Sequence, residues 1–200
     1  MIWKKMEVVD FKKNFPTGIE VPQSLIALLE YQETRAIKTK ARKYSGHFYL
    51  YDKFWTLPPI VPPEIDSYFF HFGFDADGSV YSFWMYKCFP IEKTPIVFTG
   101  WSWIGNTLLA NSLDEFLSLL SLGIEELGYA VNFPPDWVTQ ISYDPETLLF
   151  RNWLHENLGV SMPSDPLKIV KGAKNSHPDF DKWFEERVGF PPQKMKKPRR

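Results

Sequence analysis

The stretch YFFHFGFDADGSVYSFWMY, residues 68–86, decides the fold class. Its two halves, Tyr68–Phe72 and Val80–Tyr86, are rich in aromatic and other residues that favour β-strands. Between them stands Asp77-Gly78, which is typical of the two-residue type I′ turn because both central residues of that turn have positive φ. The stretch therefore predicts a β-hairpin.

Further strands are predicted on both sides of this hairpin. An aromatic run from His47 to Trp55 favours a strand before it, and the segments Thr94–Thr99 and Ile104–Ala110 favour two more after it. Short loops join the later strands, and strands connected in this way pair with their neighbours in the chain. We therefore expect an antiparallel meander from Ser67 to Ala110.

Helices are predicted on either side of the meander. Leu25, Leu28 and Leu29 recur at helical spacing within Gln23–Gln32. Ser112-Leu-Asp-Glu115 is a capping box that starts a second helix, and Gly128 stands where its C-cap is expected. The apolar stripe of this helix consists of Leu113, Phe116, Leu117, Leu120, Ile124 and Leu127. The fold class is therefore predicted as α+β, with a mainly antiparallel sheet backed by helices.

Two further helices are predicted near the C-terminus, starting at Asp144-Pro145 and at His177-Pro178. Both contain the pattern F-x-x-W-[L/F]-x-E-x-[L/V]-G, with the copies thirty residues apart. The apolar stripe in each copy predicts an amphipathic helix, and we expect both helices to pack on the same core.

The length of 200 residues, 44% of them hydrophobic, suits one domain with a sizeable core. We expect a single α+β domain over residues 1–190, with a central part at about 21–128, a helical extension at 129–190 and a basic tail at 191–200. The formal net charge of −1 gives no support to broad nucleic-acid binding.

The single cysteine, Cys88, excludes an internal disulfide and a multi-thiolate metal site within one chain. We expect Cys88 to pack as a small apolar residue rather than to react. No secretory signal follows Met1, and no uncharged apolar stretch approaches the roughly 20 residues that span a bilayer. These features predict a cytoplasmic protein without membrane contact.

Motifs for catalysis and metal binding are incomplete. Gly100-Trp-Ser-Trp-Ile-Gly105 resembles a nucleophile elbow around Ser102, but its second glycine comes one position late. Asp75-Ala-Asp77-Gly78 resembles the start of a calcium loop, but Trp84 occupies the position of the bidentate glutamate. The four histidines show no pair at ligand spacing. We therefore predict no catalytic residue, no cofactor, no metal and no enzyme activity.

Five segments in the centre of the chain follow one another in a characteristic order: Val21-Pro22-x-x-Leu25, Phe72–Gly78, Tyr81–Phe83, Pro95–Phe98 and Leu109–Leu117. In the order and approximate spacing of these segments, about residues 21–128 of the chain resemble the SUKH superfamily. That superfamily includes a fungal regulator of cell-wall assembly and many bacterial toxin-immunity proteins. The resemblance implies an α+β domain that binds and neutralises a protein toxin, often a nuclease, or that scaffolds other proteins.

A candidate partner-binding surface lies beside the turn after the third strand of the meander. Trp101 and Trp103 alternate there, so they either cover an edge of the core or anchor a partner protein. Asp75 and Asp77 would then form an acidic rim suited to a basic nuclease toxin. The resulting hypothesis is a non-enzymatic protein-binding module, specifically an immunity protein, of open oligomeric state. The alternatives are an enzyme with a dispersed active site and a regulatory scaffold that acts through its basic tail.

Overall fold

The computed structural model describes residues 6–13, 15, 17–39, 48–50, 63–75, 78–100, 105–132 and 137–188. Its centre is a five-stranded sheet in the order β1-β2-β3-β4-β5, in which every neighbouring pair is antiparallel. The strands are β1 (Tyr49–Leu50), β2 (Phe69–Phe74), β3 (Val80–Trp84), β4 (Ile96–Thr99) and β5 (Thr107–Ala110). The predicted α+β class and the antiparallel meander are both confirmed.

Eight α-helices surround the sheet in the part of the chain that the structure describes. They are α1 (Val8–Lys12), α2 (Gln23–Thr39), α3 (Pro63–Asp66), α4 (Leu113–Leu120), α5 (Leu127–Asn132), α6 (Pro145–Leu158), α7 (Pro166–Ser176) and α8 (Phe180–Val188). Short 3₁₀ helices lie at Ile91–Lys93 and Trp137–Gln140. No helix within the described ranges has the length and apolarity needed to cross a membrane.

The β2–β3 hairpin forms as predicted, but its turn closes differently. Gly78 has positive φ, at 89°. Its backbone N–H donates to the carbonyl of Asp75, and the N–H of Asp75 donates to the carbonyl of Ser79. A two-residue turn centred on Asp77-Gly78 would instead join residues 76 and 79. The loop is therefore one residue longer than the dipeptide alone predicts.

Helix α4 begins at the predicted capping box. The Ser112 hydroxyl accepts a hydrogen bond from the Glu115 N–H at 3.2 Å, while the Glu115 carboxylate accepts from the backbone N–H of Asn111 at 2.8 Å. The second arm of the box therefore reaches one residue further back than in the usual motif, where it binds the N-cap N–H. The start of this helix is fixed by its own sequence.

The end of α4 differs from the prediction. The helix stops at Leu120, and the chain turns at Gly123, whose φ is 66°. Gly128 is not a C-cap but lies inside α5, where a Cβ would come within 2.1 Å of the Phe98 ring. This glycine is therefore required by close packing of α5 on β4 rather than by helix termination.

Helix α2 is also longer than predicted, since it continues from Gln23 through Thr39 rather than ending at Gln32. The predicted strand at His47–Trp55 is observed only as Tyr49–Leu50, and residues 51–55 lie outside the described part of the chain. Helix α7 was not predicted, because the segment between the two aromatic patterns carries few large apolar residues.

The two faces of the sheet carry separate hydrophobic clusters, which alternate along each strand. Tyr81 and Phe83 of β3 belong to the larger cluster, together with α2, α4 and α6. Trp84 belongs to a smaller cluster on the opposite face, covered by α8. The larger cluster is called here the inner core and the smaller one the outer core.

The two C-terminal aromatic patterns pack on different cores, so the expectation of a shared core is wrong. Phe150 and Leu154 of α6 lie in the inner core, whereas Phe180, Trp183 and Phe184 of α8 lie in the outer core. Helix α6 has the predicted Asp144 cap and ends at Gly159 in the left-handed conformation. Helix α8 starts two residues later than predicted, with Asp179 accepting from the N–H of Lys182.

Candidate protein-binding surface

The residues predicted to bind a partner are not assembled into a surface by the described structure. Asp75 is only 1% exposed, and its carboxylate accepts a hydrogen bond from the Tyr81 hydroxyl at 3.5 Å. The hairpin turn folds this side chain inward, so Asp75 does not contribute to an exposed acidic rim. Trp101, Trp103 and Asp77 lie outside the described residues. Their role as aromatic anchors and rim remains a prediction.

A serine, a histidine and an aspartate meet on the outer face of the sheet. Ser82 Oγ lies 2.6 Å from His71 Nδ1, and His71 Nε2 lies 3.3 Å from Asp66 Oδ1. The hydrogen bond to His71 lowers the pKa of the Asp66 carboxyl. A serine nucleophile has to reach its substrate beside an oxyanion hole. Ser82 is fully buried in the central strand β3, so this group joins β2 to β3 and is not arranged for acyl transfer.

A second polar network joins the α7–α8 junction to the sheet. His177 Nδ1 lies 2.8 Å from the Tyr86 hydroxyl, and its Nε2 lies 3.1 Å from Asn111 Oδ1. Asn111 Nδ2 donates to the Glu115 carboxylate, which leaves Asn111 Oδ1 as an acceptor. His177 is therefore assigned a proton on Nε2 and accepts from Tyr86 on Nδ1. Burial, with Lys87 nearby, lowers the pKa of His177 and favours this neutral form.

The next features to consider are possible metal ligands and the single cysteine. They contain no group of three or more His, Cys, Asp or Glu residues that could hold a metal ion. Cys88 is exposed, so the expectation that it packs inside is wrong. It lies in the loop between β3 and β4.

Three exposed apolar side chains lie close together in the sequence at the start of α6. Five large hydrophobic residues are exposed in the described structure: Val9, Tyr143, Leu148, Leu149 and Met162. Tyr143 is 66% exposed, Leu148 41% and Leu149 49%, and all three lie within seven residues of chain. Single exposed apolar residues are common on proteins, but contiguous ones mark interaction sites. Tyr143, Leu148 and Leu149 are called here the α6 surface.

Hydrogen bonds and a cation–π contact hold the backbone from which the α6 surface projects. Asp144 Oδ1 accepts from the N–H groups of Glu146 and Thr147, each at 3.0 Å. Arg151 donates to the carbonyls of Ser121 and Ser142, each at 2.8 Å, and its guanidinium lies 5.2 Å from the centre of the Tyr143 ring. These contacts hold the first turns of α6 against the turn that follows α4. The exposed side chains are thus presented by a rigid backbone.

The chain around the α6 surface is strongly acidic. Residues 113–167 contain nine Asp or Glu residues but only one Lys or Arg, which is Arg151. The positive charge of Arg151 is directed to backbone carbonyls and to Tyr143. Glu125 and Glu126 are exposed just after Gly123, and that glycine contacts Thr147 of α6. Glu146, between Tyr143 and Leu148, forms an ion pair with Arg35 of α2. The border of the α6 surface therefore combines the exposed carboxylates of Glu125 and Glu126 with this ion pair.

Sequence reasoning missed this surface, although two signals for it are present. Leu148 and Leu149 lie outside the buried stripe of α6, and the overall charge of −1 conceals the acidic segment. A count of charges by segment and a helical projection of α6 would have identified both features.

Comparisons with known proteins give no match: no protein-family model, curated protein or solved structure is significantly similar to the chain.

Proposed function

We propose that this chain is a non-enzymatic, SUKH-like protein-binding module that acts as an immunity protein and neutralises a bacterial toxin through the α6 surface. The observation that carries the proposal is the exposure of Tyr143, Leu148 and Leu149 together in an acidic segment. Because apolar side chains with an acidic border suit a basic protein partner, a nuclease toxin is the proposed target.

The energetics of such a surface suit protein binding. Burying one leucine or one comparable apolar side chain contributes roughly 1.5–3 kcal/mol. Tyrosine is enriched among the residues that dominate binding energies, and the two leucines would add buried apolar area to the interface. The surrounding carboxylates would accelerate association with a positively charged partner and make it sensitive to salt.

The arrangement of the polar side chains also supports binding over catalysis. The serine–histidine–aspartate group uses a buried hydroxyl, and the His177 network is occupied by hydrogen bonds within the fold. The order of strands and the Ser112-capped helix fit the segments on which the resemblance to the SUKH superfamily rests.

The test is protection of bacteria against a basic nuclease toxin domain, taken from the genes beside that of this chain if one is encoded there. We expect the wild-type chain to restore growth and to co-purify with that domain. The double variant Leu148→Asp/Leu149→Asp should lose both effects, because it places two charges at the centre of the interface. Val9→Asp is the control, since Val9 is also an exposed apolar residue but lies in α1.

Absence of binding by the wild-type chain would reject the immunity function. Retained binding by the double variant would reject the α6 surface alone. Deletion of Lys194–Arg200 tests the alternative of a scaffold that acts through its basic tail. Loss of binding on that deletion would favour the scaffold.

A further inference from the structure

We draw no further inference here: the strongest candidate, the cavity of about 200 Å³ where α7 and α8 meet β5, offers a ligand only the exposed charges of Lys174, Asp179 and Asp181 beside apolar groups, and among the residues that the structure describes no buried polar side chain is directed into it.

Discussion

Helices α6 and α8 carry the same ten-residue pattern but pack on opposite faces of one sheet. In α6, Phe150 and Leu154 enter the inner core, while Phe180 and Phe184 occupy the equivalent positions of α8 in the outer core. The pattern determines which side of each helix is buried. It does not determine the partner, because any apolar surface of suitable shape satisfies the hydrophobic effect.

The lengths of the two helices explain why only one of them offers an apolar surface. Helix α6 has 14 residues and begins five residues before Phe150, whereas α8 has nine and begins at Phe180 itself. The additional residues of α6 include Leu148 and Leu149, which extend beyond the core and are exposed. Helix α8 has no such extension, and all its large aromatic residues are buried.

The largest expected difference between the helices concerns their tryptophans. Trp183 is buried against Tyr68, Phe69 and Trp84, so Trp183→Ala should lower the free energy of unfolding by about 3–5 kcal/mol. Trp153 is only partly buried, and Trp153→Ala should cost about 1–2 kcal/mol. Urea denaturation measures both. Equal losses would contradict the difference between the two environments.

Arg151 of α6 and Asp181 of α8 occupy equivalent positions in the pattern, and substituting them should have the next largest effects on stability. Arg151→Met should destabilise the fold by about 2–3 kcal/mol, because the carbonyls of Ser121 and Ser142 lose a charged donor. Thermal and urea unfolding provide the measurement, with exposed Asn152→Ala as the control on the same helix. A loss no larger than that of the control would show that Arg151 does not fix the start of α6.

At the equivalent position of α8, substitution of Asp181 should raise the free energy of unfolding at neutral pH rather than lower it. The pKa of Asp181 is raised from 3.8 to about 6 in the folded chain, so the unfolded chain binds fewer protons between these values. The stability that protonated Asp181 contributes to the folded chain is fully present below pH 4 and is lost as the pH rises through 6. Asp181→Asn should therefore be more stable than the wild type at pH 7.5 and equal to it near pH 3.5. Identical urea midpoints at pH 7.5 would exclude the raised pKa.

The smallest expected effects are at the shared glutamate of the pattern. Glu156 is exposed, and Glu186 forms an exposed ion pair with Lys182 at 3.8 Å. Exposed pairs within a helix contribute about 0.3–0.5 kcal/mol. Glu156→Gln should leave the melting temperature almost unchanged, and Glu186→Gln should lower it slightly. A large loss for either variant would reveal a contact that the structure does not contain.

Local features of the fold were predictable from sequence, because short-range chemistry fixes them. The strands on both sides of Asp77-Gly78, the Ser112 cap, the Asp144 cap and the left-handed Gly159 all follow from residue preferences over a few positions. The role of Gly128 was not predictable in this way. Its requirement comes from the Phe98 ring, thirty residues away in the chain.

The candidate binding site was largely unpredictable for a related reason. Aspartate is typical of exposed turns, yet the hairpin closes so that Asp75 is buried and its carboxylate accepts a hydrogen bond from the Tyr81 hydroxyl. Leu148 and Leu149 look like core residues within a helix, but α6 meets the inner core through another side. In both cases exposure depends on how an element is placed, and residue type alone does not report it.

The sequence alone determined the class of this protein: an antiparallel meander, a capped helix after it and two amphipathic helices near its end. Such features depend on backbone preferences and on periodicity within one segment. The tertiary structure decided that α6 and α8 take opposite faces of the sheet, that Asp75 is buried and that Lys174 shares a cavity with Asp181. Those outcomes depend on contacts between distant segments, whose competition for the same apolar surfaces is resolved only when the whole chain packs.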